Sequence, residues 1–349
     1  MSSKMFLKDL CEINGASGNE DRVRSYIQEQ LKSPEEPGQV DVLGNLFFEK
    51  KGNGTSDKTI LLMAHTDEVG LMVTNIQDDG LLAVSPIGGV DPRVLLGKRV
   101  WVGENNLPGV IGYKAIHLQK EDFKTLPDWD KVRVDIGAQK KEEAQKSVNL
   151  GDYVHFYSPF EEYENRYVGK ALDDRAGCAL LMALYRELPV LNHRVVFAFV
   201  VQEEIGLRGS GSTLKRYKPD AAIVVEGTTA GDNPELKRER WSTHLDNGPA
   251  ISYLQSGYAL DYRLFEAIVA FANQKGILYQ LKGRTVGGTD GTRLASTYFG
   301  VPCAGVNIPS RYIHSPVSVI SKKDFENTKQ FIADILTEEI LLKALEVKV

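Results

Sequence analysis

Residues 59–67 read Thr59-Ile60-Leu61-Leu62-Met63-Ala64-His65-Thr66-Asp67, an almost unbroken apolar run that stops at a histidine. A strand that is apolar at nearly every position has no face to give to water, so it belongs inside a sheet covered on both sides. A second such run, Val195-Val196-Phe197-Ala198-Phe199-Val200-Val201, ends in Gln202-Glu203-Glu204. Around these two runs the pattern alternates. Helices are predicted at 174–188, 261–274 and from 322 to the C-terminus, with further strands at 221–226, 277–282 and 301–307. Strands that alternate with helices predict an α/β fold: a mostly parallel sheet with helices on both faces.

Outward from this core, the first sixty residues read as helix, helix, strand, strand. Ser17 is placed to cap a helix running to Leu31, with Val23, Tyr26, Ile27 and Leu31 on one stripe, and 41–50 reads as a strand with a turn at Gly44-Asn45. Between 67 and 165 the character changes. Short β-rich runs at 69–76, 81–86, 99–102, 110–113, 132–136 and 153–157 are punctuated by Gly, Pro, Asn and Asp, with one helical stretch at 140–146 and a charged loop at 119–130. That spacing suggests a small β-barrel or sandwich. The expected organisation is therefore an α/β domain formed by residues 1–66 and 166–349, interrupted by an inserted β-rich domain at 67–165.

Composition narrows the function. The chain has 349 residues, 42% hydrophobic and 26% charged, with a net charge of −5, which argues against nucleic acid or an anionic membrane as a main partner. No stretch approaches the ~18 to 20 apolar residues of a membrane span, and the N-terminus lacks a signal-peptide core. Cys11, Cys178 and Cys303 are widely spaced and form no CxxC pair, so reduced core thiols and a cytoplasmic location are expected. A phosphate loop of the G-x-x-x-x-G-K-[ST] type is absent, which argues against an ATP-dependent enzyme.

Five short segments fall at or just after predicted strand ends: Ala64-His65-Thr66-Asp67, Ala171-Leu172-Asp173-Asp174, Gln202-Glu203-Glu204-Ile205-Gly206, Val225-Glu226-Gly227-Thr228 and Tyr312-Ile313-His314-Ser315-Pro316. Ligands of open α/β sheets bind at the carboxyl ends of strands, so the five can converge. Two histidines with several carboxylates make a nitrogen and oxygen donor set suited to Zn²⁺, Co²⁺ or Mn²⁺. Each segment also has a plain structural reading. Asp173-Asp174 can cap a helix, and His65-x-Asp67 can be a turn or a histidine oriented by the carboxylate behind it. Glu203 and Glu204, adjacent at the end of a strand, are expected to face opposite sides, with at least one turned toward something polar.

Taken together and in this order, the segments resemble the glutamyl aminopeptidase and tetrahedral aminopeptidase family of dinuclear metallopeptidases, over essentially the whole chain and including the β insertion. The resemblance implies a zinc-peptidase-like α/β domain and two divalent ions per subunit, Zn²⁺ or Co²⁺ with Mn²⁺ also admitted. It implies His65 as terminal ligand of one ion with Asp67 behind it, and Asp173 as bridging carboxylate, joined to Asp174 by a cis peptide bond. It further implies Glu204 and His314 as ligands of the second ion and Glu203 as general base. Glu226 stands where many relatives carry Asp as the terminal ligand on the His65 side; it is one methylene longer and still a carboxylate.

Elsewhere, Gly287-Gly288-Thr289-Asp290 resembles a glycine-rich turn near the substrate, and Arg293 faces either an acidic substrate side chain or a surface partner. Residues 112–117 resemble a family loop, but His117 receives no catalytic role. His155, His193 and His244 match no ligand position. The activity so implied is removal of N-terminal residues from peptides. The insertion would mediate dimers, in relatives often built into dodecameric shells, or would cover the active site. The alternatives are a related metal-dependent deacylase or carboxypeptidase-like hydrolase, a relative labelled glucanase, or a non-catalytic peptide-binding protein. The first-position preference of the substrate stays open.

Overall fold

In the computed structural model the run at 59–67 is the strand Thr59–His65, buried along its whole length, and the molecule is laid out around it. The structure describes residues 2–112, 128–232, 236–256, 258–283 and 287–346. Thr59–His65 pairs in parallel with Arg194–Val200 on one side and with Ala221–Val224 on the other. Cys303–Arg311 extends the parallel centre beyond Ala221–Val224. Antiparallel strands flank this centre: Leu46–Lys50 beside Arg194–Val200, and Ser318–Ser321 beside Cys303–Arg311, with Arg166–Gly169 beyond it.

Alternation along the central strands explains why both faces are covered. Ile60, Leu62 and Ala64, with Val195, Phe197 and Phe199, enter one core with Leu180 and Leu184 of helix Leu172–Glu187 and Phe331 of helix Lys322–Thr337. Leu61 and Met63, with Val196 and Ala198, enter a second core with Tyr217 and with Leu294 of helix Asp290–Ser296. Each successive side chain therefore has an apolar partner, the arrangement that the unbroken apolar run demands.

Three sequence expectations are adjusted. The second helix is Asp21–Leu31, with Val23, Ile27 and Leu31 buried; Ser17 does not cap it, because its hydroxyl is committed elsewhere, to Asp67. The strand expected at 41–50 begins at Leu46, because Asp41 Oδ1 accepts from the amides of Leu43, Gly44 and Asn45 and folds 41–45 into a turn. The C-terminal helix is broken into Lys322–Thr337 and Ile340–Glu346, with Glu339 in the left-handed region at φ 56°.

The β-rich insertion is a closed six-stranded antiparallel barrel of Gly70–Ile76, Leu82–Ile87, Arg133–Asp135, Leu107–Gly112, Arg99–Val102 and Tyr153–Phe156. It has a core of its own, including Leu71, Val73, Leu82, Val100, Ile111, Val134 and Phe156. Closure removes the open edges that a sandwich would expose. Most of the expected loop at 119–130, together with His117, lies outside the described residues.

The chain enters the barrel just after His65 and, after the last barrel strand Tyr153–Phe156, rejoins the sheet as the strand Arg166–Gly169 that leads to Asp173; the junction is polar and buried. Glu68 accepts from the Gly15 amide at 3.0 Å and from Lys170 Nζ at 2.5 Å, with Arg175 Nη2 at 3.7 Å. His155 of the barrel sits close by, 4% exposed, and burial pushes its pKa down to about 4. Above pH 6.5 the ring is neutral in both the folded and unfolded chain and adds no pH dependence. Below 6.5 the unfolded chain takes a proton that the folded chain refuses until about 4, so stability is lost across that interval. A His155→Phe variant should therefore lose about 2–3 kcal/mol less than the parent between pH 7 and pH 4.5, as read from urea unfolding at the two pH values.

Candidate metal centre

The parallel strands end on one side of the sheet, and the five segments meet there. His65 is the last residue of its strand; Glu203 and Glu204 follow Arg194–Val200, Glu226 follows Ala221–Val224, and His314 follows Cys303–Arg311. Asp173 opens the long helix, and its peptide bond to Asp174 is cis.

Asp67 lies at the centre, 0% exposed. Its Oδ1 accepts from the Glu203 amide at 3.0 Å, and its Oδ2 accepts from the Glu204 amide at 3.1 Å and the Ser17 hydroxyl at 2.5 Å. The Nδ1 face of His65 is turned to Asp67, 3.2 Å from its backbone oxygen and 3.4 Å from Oδ1. His65 Nε2 is thereby aimed at Asp173 Oδ1, 3.4 Å away. Asp173 Oδ1 also accepts from the Gly227 amide at 3.1 Å; a Cβ on Gly227 would stand 2.8 Å from that oxygen, so only glycine lets the backbone come so near.

Across Asp173 stands His314, with Nε2 3.2 Å from Glu204 Oε2 and 4.0 Å from Asp173 Oδ2. Two groups of donor atoms result, each with all members within 4.8 Å of one another: His65, Glu203 and Glu204, and Asp173, Glu204 and His314. Glu226 belongs to neither group. It is buried beside them, and its Oε1 accepts from the Asp290 amide at 3.0 Å. Glu203 and Glu204 do not face opposite sides as expected. The strand has already ended at Val200, and Gln202 takes a left-handed φ of 56°, so strand alternation no longer governs the pair.

The electrostatics are those of an acid cluster with too few cations. Burial holds the Glu203 and Glu204 carboxyls well above the ordinary range; neighbouring carboxylates push the same way, and His65 opposes them. Glu226 is pushed up to about 8 by burial and then by Asp290, and Asp290 is itself raised to about 6 by burial. For Asp67 burial alone would raise the pKa, but the bonds from His65, Ser17 and the Glu203 amide win and hold it low. Burial would likewise lower His65, yet Asp173 and Asp67 hold it well above its usual value.

Several residues at the site were not found by sequence reasoning. Ser17, Lys282, Asp290 as a buried carboxylate, and Gly89 all lie against it. Lys282 is 5% exposed and faces Glu226 and Asp173. Arg293 is exposed and makes no ion pair among the described residues. His193 is buried near Glu339, and His244 contacts Asn247, both away from the cluster.

Asp67→Asn tests the central carboxylate. An amide offers one acceptor oxygen where two buried N–H groups and a hydroxyl now find two, so one donor is left unpaired. The variant should lose about 1–3 kcal/mol of stability, and Ser17→Ala less, as measured by thermal denaturation of the metal-free protein.

With this geometry in hand, the chain can be set beside known proteins. The M42 glutamyl aminopeptidase family matches residues 44–331. Lysyl aminopeptidase of Pyrococcus furiosus is 30% identical over 348 residues, covering 96% of each chain. Aminopeptidase APDkam598 of the archaeon Desulfurococcus kamchatkensis superposes with a TM-score of 0.92 at 33% identity, covering 99% of each chain. The TET1 peptidase of Pyrococcus horikoshii, which can assemble into a tetrahedron or a large octahedral shell, superposes at 0.85 and 32% identity over 97% of this chain and all (100%) of that one. The five segments, the α/β sheet with its inserted barrel and these likenesses agree: the chain belongs to the M42 glutamyl aminopeptidase family and is an enzyme that hydrolyses peptide bonds.

Proposed function

We propose that this chain removes N-terminal residues from peptides, using two divalent ions held by His65, Asp173, Glu204, Glu226 and His314, with Glu203 as general base. The observation that carries this reading is the place of Asp173 between two imidazoles, 3.4 Å from His65 and 4.0 Å from His314. A carboxylate so flanked suits the shared ligand of two ions ~3.5–4 Å apart, and Glu204 belongs to both donor groups. The donors are nitrogen and oxygen throughout, which fits Zn²⁺, Co²⁺ or Mn²⁺. The Cys178 thiol nearby is turned to the His65 carbonyl at 3.1 Å. Buried carboxylates that resist ionisation in one another's company are a further sign of fit, since cations relieve what burial imposes.

Bound there, the ions would polarise the scissile carbonyl and bring the pKa of a water toward neutrality. The protein's own residues do the rest. Glu203 takes the proton of the attacking water and delivers it to the departing amine. Asp67 fixes the Glu203 backbone and orients His65. Glu226, with one oxygen on the Asp290 amide, offers its other oxygen on the His65 side.

In this reading residues 1–66 and 166–349 form the catalytic domain, and 67–165 are an inserted domain that serves association. The protein is a homo-oligomer, from a dimer up to a dodecamer, and works on peptides in the cytoplasm. The assembly of the Pyrococcus horikoshii relative supports the first point, and the three buried free thiols support the second. Among the described residues, no helix is long and apolar enough to cross a membrane.

Glu203→Gln should lower kcat on aminoacyl-anilides by ~10²–10⁴-fold while leaving the metal content unchanged. Near-normal turnover by that variant would remove Glu203 from its role. His314→Ala should reduce the ions per chain in dialysed protein, by elemental analysis, from two to one. Inhibition by EDTA that Zn²⁺ or Co²⁺ reverses separates this reading from a metal-independent glycosidase, which would use a carboxylate pair alone.

A further inference from the structure

We propose that the inserted barrel completes the metal centre: the carbonyl oxygen of Gly89 is a positioning group that fixes the ring of His314. The inference rests on the metal reading above and goes beyond it, by giving the barrel a part in the chemistry.

His314 stands in a turn with left-handed backbone at Tyr312 and at His314 itself, φ 62° and 60°. Its side chain is 39% exposed, against 2% for His65. Packing therefore holds it less than its counterpart, and a ring so placed needs a hydrogen bond to fix its direction. That bond comes from the barrel: Nδ1 lies 3.1 Å from Gly89 O, 225 positions away in the chain. A carbonyl can only accept, so Nδ1 carries a proton, and the tautomer this bond selects for the neutral ring leaves the lone pair on Nε2. Nε2 is the nitrogen that faces Glu204 and Asp173. Histidines that bind metals commonly have the other ring nitrogen held in this way, which fixes both tautomer and ring direction.

The sequence around Gly89 is built for close approach. Gly88 and Gly89 follow the barrel strand Leu82–Ile87. Gly88 has φ +80°, and a Cβ there would lie 2.9 Å from Val69 Cγ1 and 3.2 Å from Glu204 Cβ. A Cβ on Gly89 would lie 3.0 Å from His314 Nδ1. The glycine pair thus brings barrel backbone against two residues of one donor group, where any side chain would push them apart.

The test is metal affinity rather than turnover. Co²⁺ is titrated into the metal-free full-length protein against a chromophoric chelator, for the parent, Gly89→Ala, His314→Ala and the double variant. Gly97→Ala serves as control, since Gly97 lies in the same connection between barrel strands and a Cβ there meets nothing within 4 Å, while its positive φ of 74° makes it the more strained of the two substitutions. The parent should bind two ions. Gly89→Ala should keep one and weaken the other by about 10–100-fold. The double variant should match His314→Ala, and Gly97→Ala should match the parent. A parent with two ions and Gly89→Ala with unchanged affinities overturns this inference alone, as does an equal loss from Gly89→Ala with and without His314. A parent that binds no ion overturns the metal reading and this inference with it. A measurement without mutation is also decisive: solid-state NMR of the metal-free protein with ¹⁵N-labelled histidine should find a proton on His314 Nδ1, and a ring protonated at Nε2 alone overturns the assignment.

Discussion

Everything at this site hangs on one buried carboxylate that is itself not offered as a ligand. Asp67 receives the amides of Glu203 and Glu204 and the hydroxyl of Ser17, and turns His65. Three separate pieces of chain are thereby tied together: the N-terminal loop, the end of Thr59–His65 and the segment after Arg194–Val200. A carboxylate with several hydrogen-bond donors stays ionised even when fully buried, because the donors replace the water it has lost. That is why Asp67 stays charged while the acids it arranges are pushed toward protonation.

The contrast between Asp67 and its neighbours separates scaffold from chemistry. A scaffold carboxylate has spent its lone pairs on fixed N–H and O–H donors. Asp290, by contrast, is buried with no backbone amide on either oxygen and the Ser210 hydroxyl beside it, and Glu226 has one oxygen on an amide. Lys282 and His65 bring positive charge to the cluster, but burial lowers the pKa of the lysine as well. A cluster arranged in this way is costly in the folded protein unless it meets further positive charge. Protein stability and ion binding are therefore linked at this site.

The sequence showed the parallel core and the ligand-bearing segments because both are local signals. A strand apolar at every position, as in Thr59–His65, has one sensible home, and a polar residue at its carboxyl end is conspicuous. Relations between distant segments were hidden. Ser17 reads as a helix cap, and nothing nearby in sequence shows that its hydroxyl meets Asp67, fifty positions on. Alternation puts Glu203 and Glu204 on opposite sides only if the strand runs on past Val200; the left-handed turn at Gln202 is not written in a glutamine. Asp41 pulled residues 41–45 out of the expected strand through three amide bonds, a contest between a side chain and the sheet that local pattern cannot decide.

The place of the barrel follows from the same constraint. It leaves the sheet directly after His65 and Asp67, and the returning chain rejoins the sheet as the strand Arg166–Gly169, which leads through Lys170 to Asp173, so both crossings are tied to the cluster. A flexible stem would let those side chains drift. The outgoing stem is instead locked to the sheet by Glu68, which accepts from Lys170 just after the strand Arg166–Gly169, with Arg175 reaching the carbonyls of Leu10, Ile13, Gly15 and Thr66. Removing one member of such a buried network strands the charge of the others, so the junction is rigid in a way that exposed ion pairs are not. A domain held so firmly can lend a backbone carbonyl to His314, and that is the physical reason an insertion here can shape the site as well as serve association.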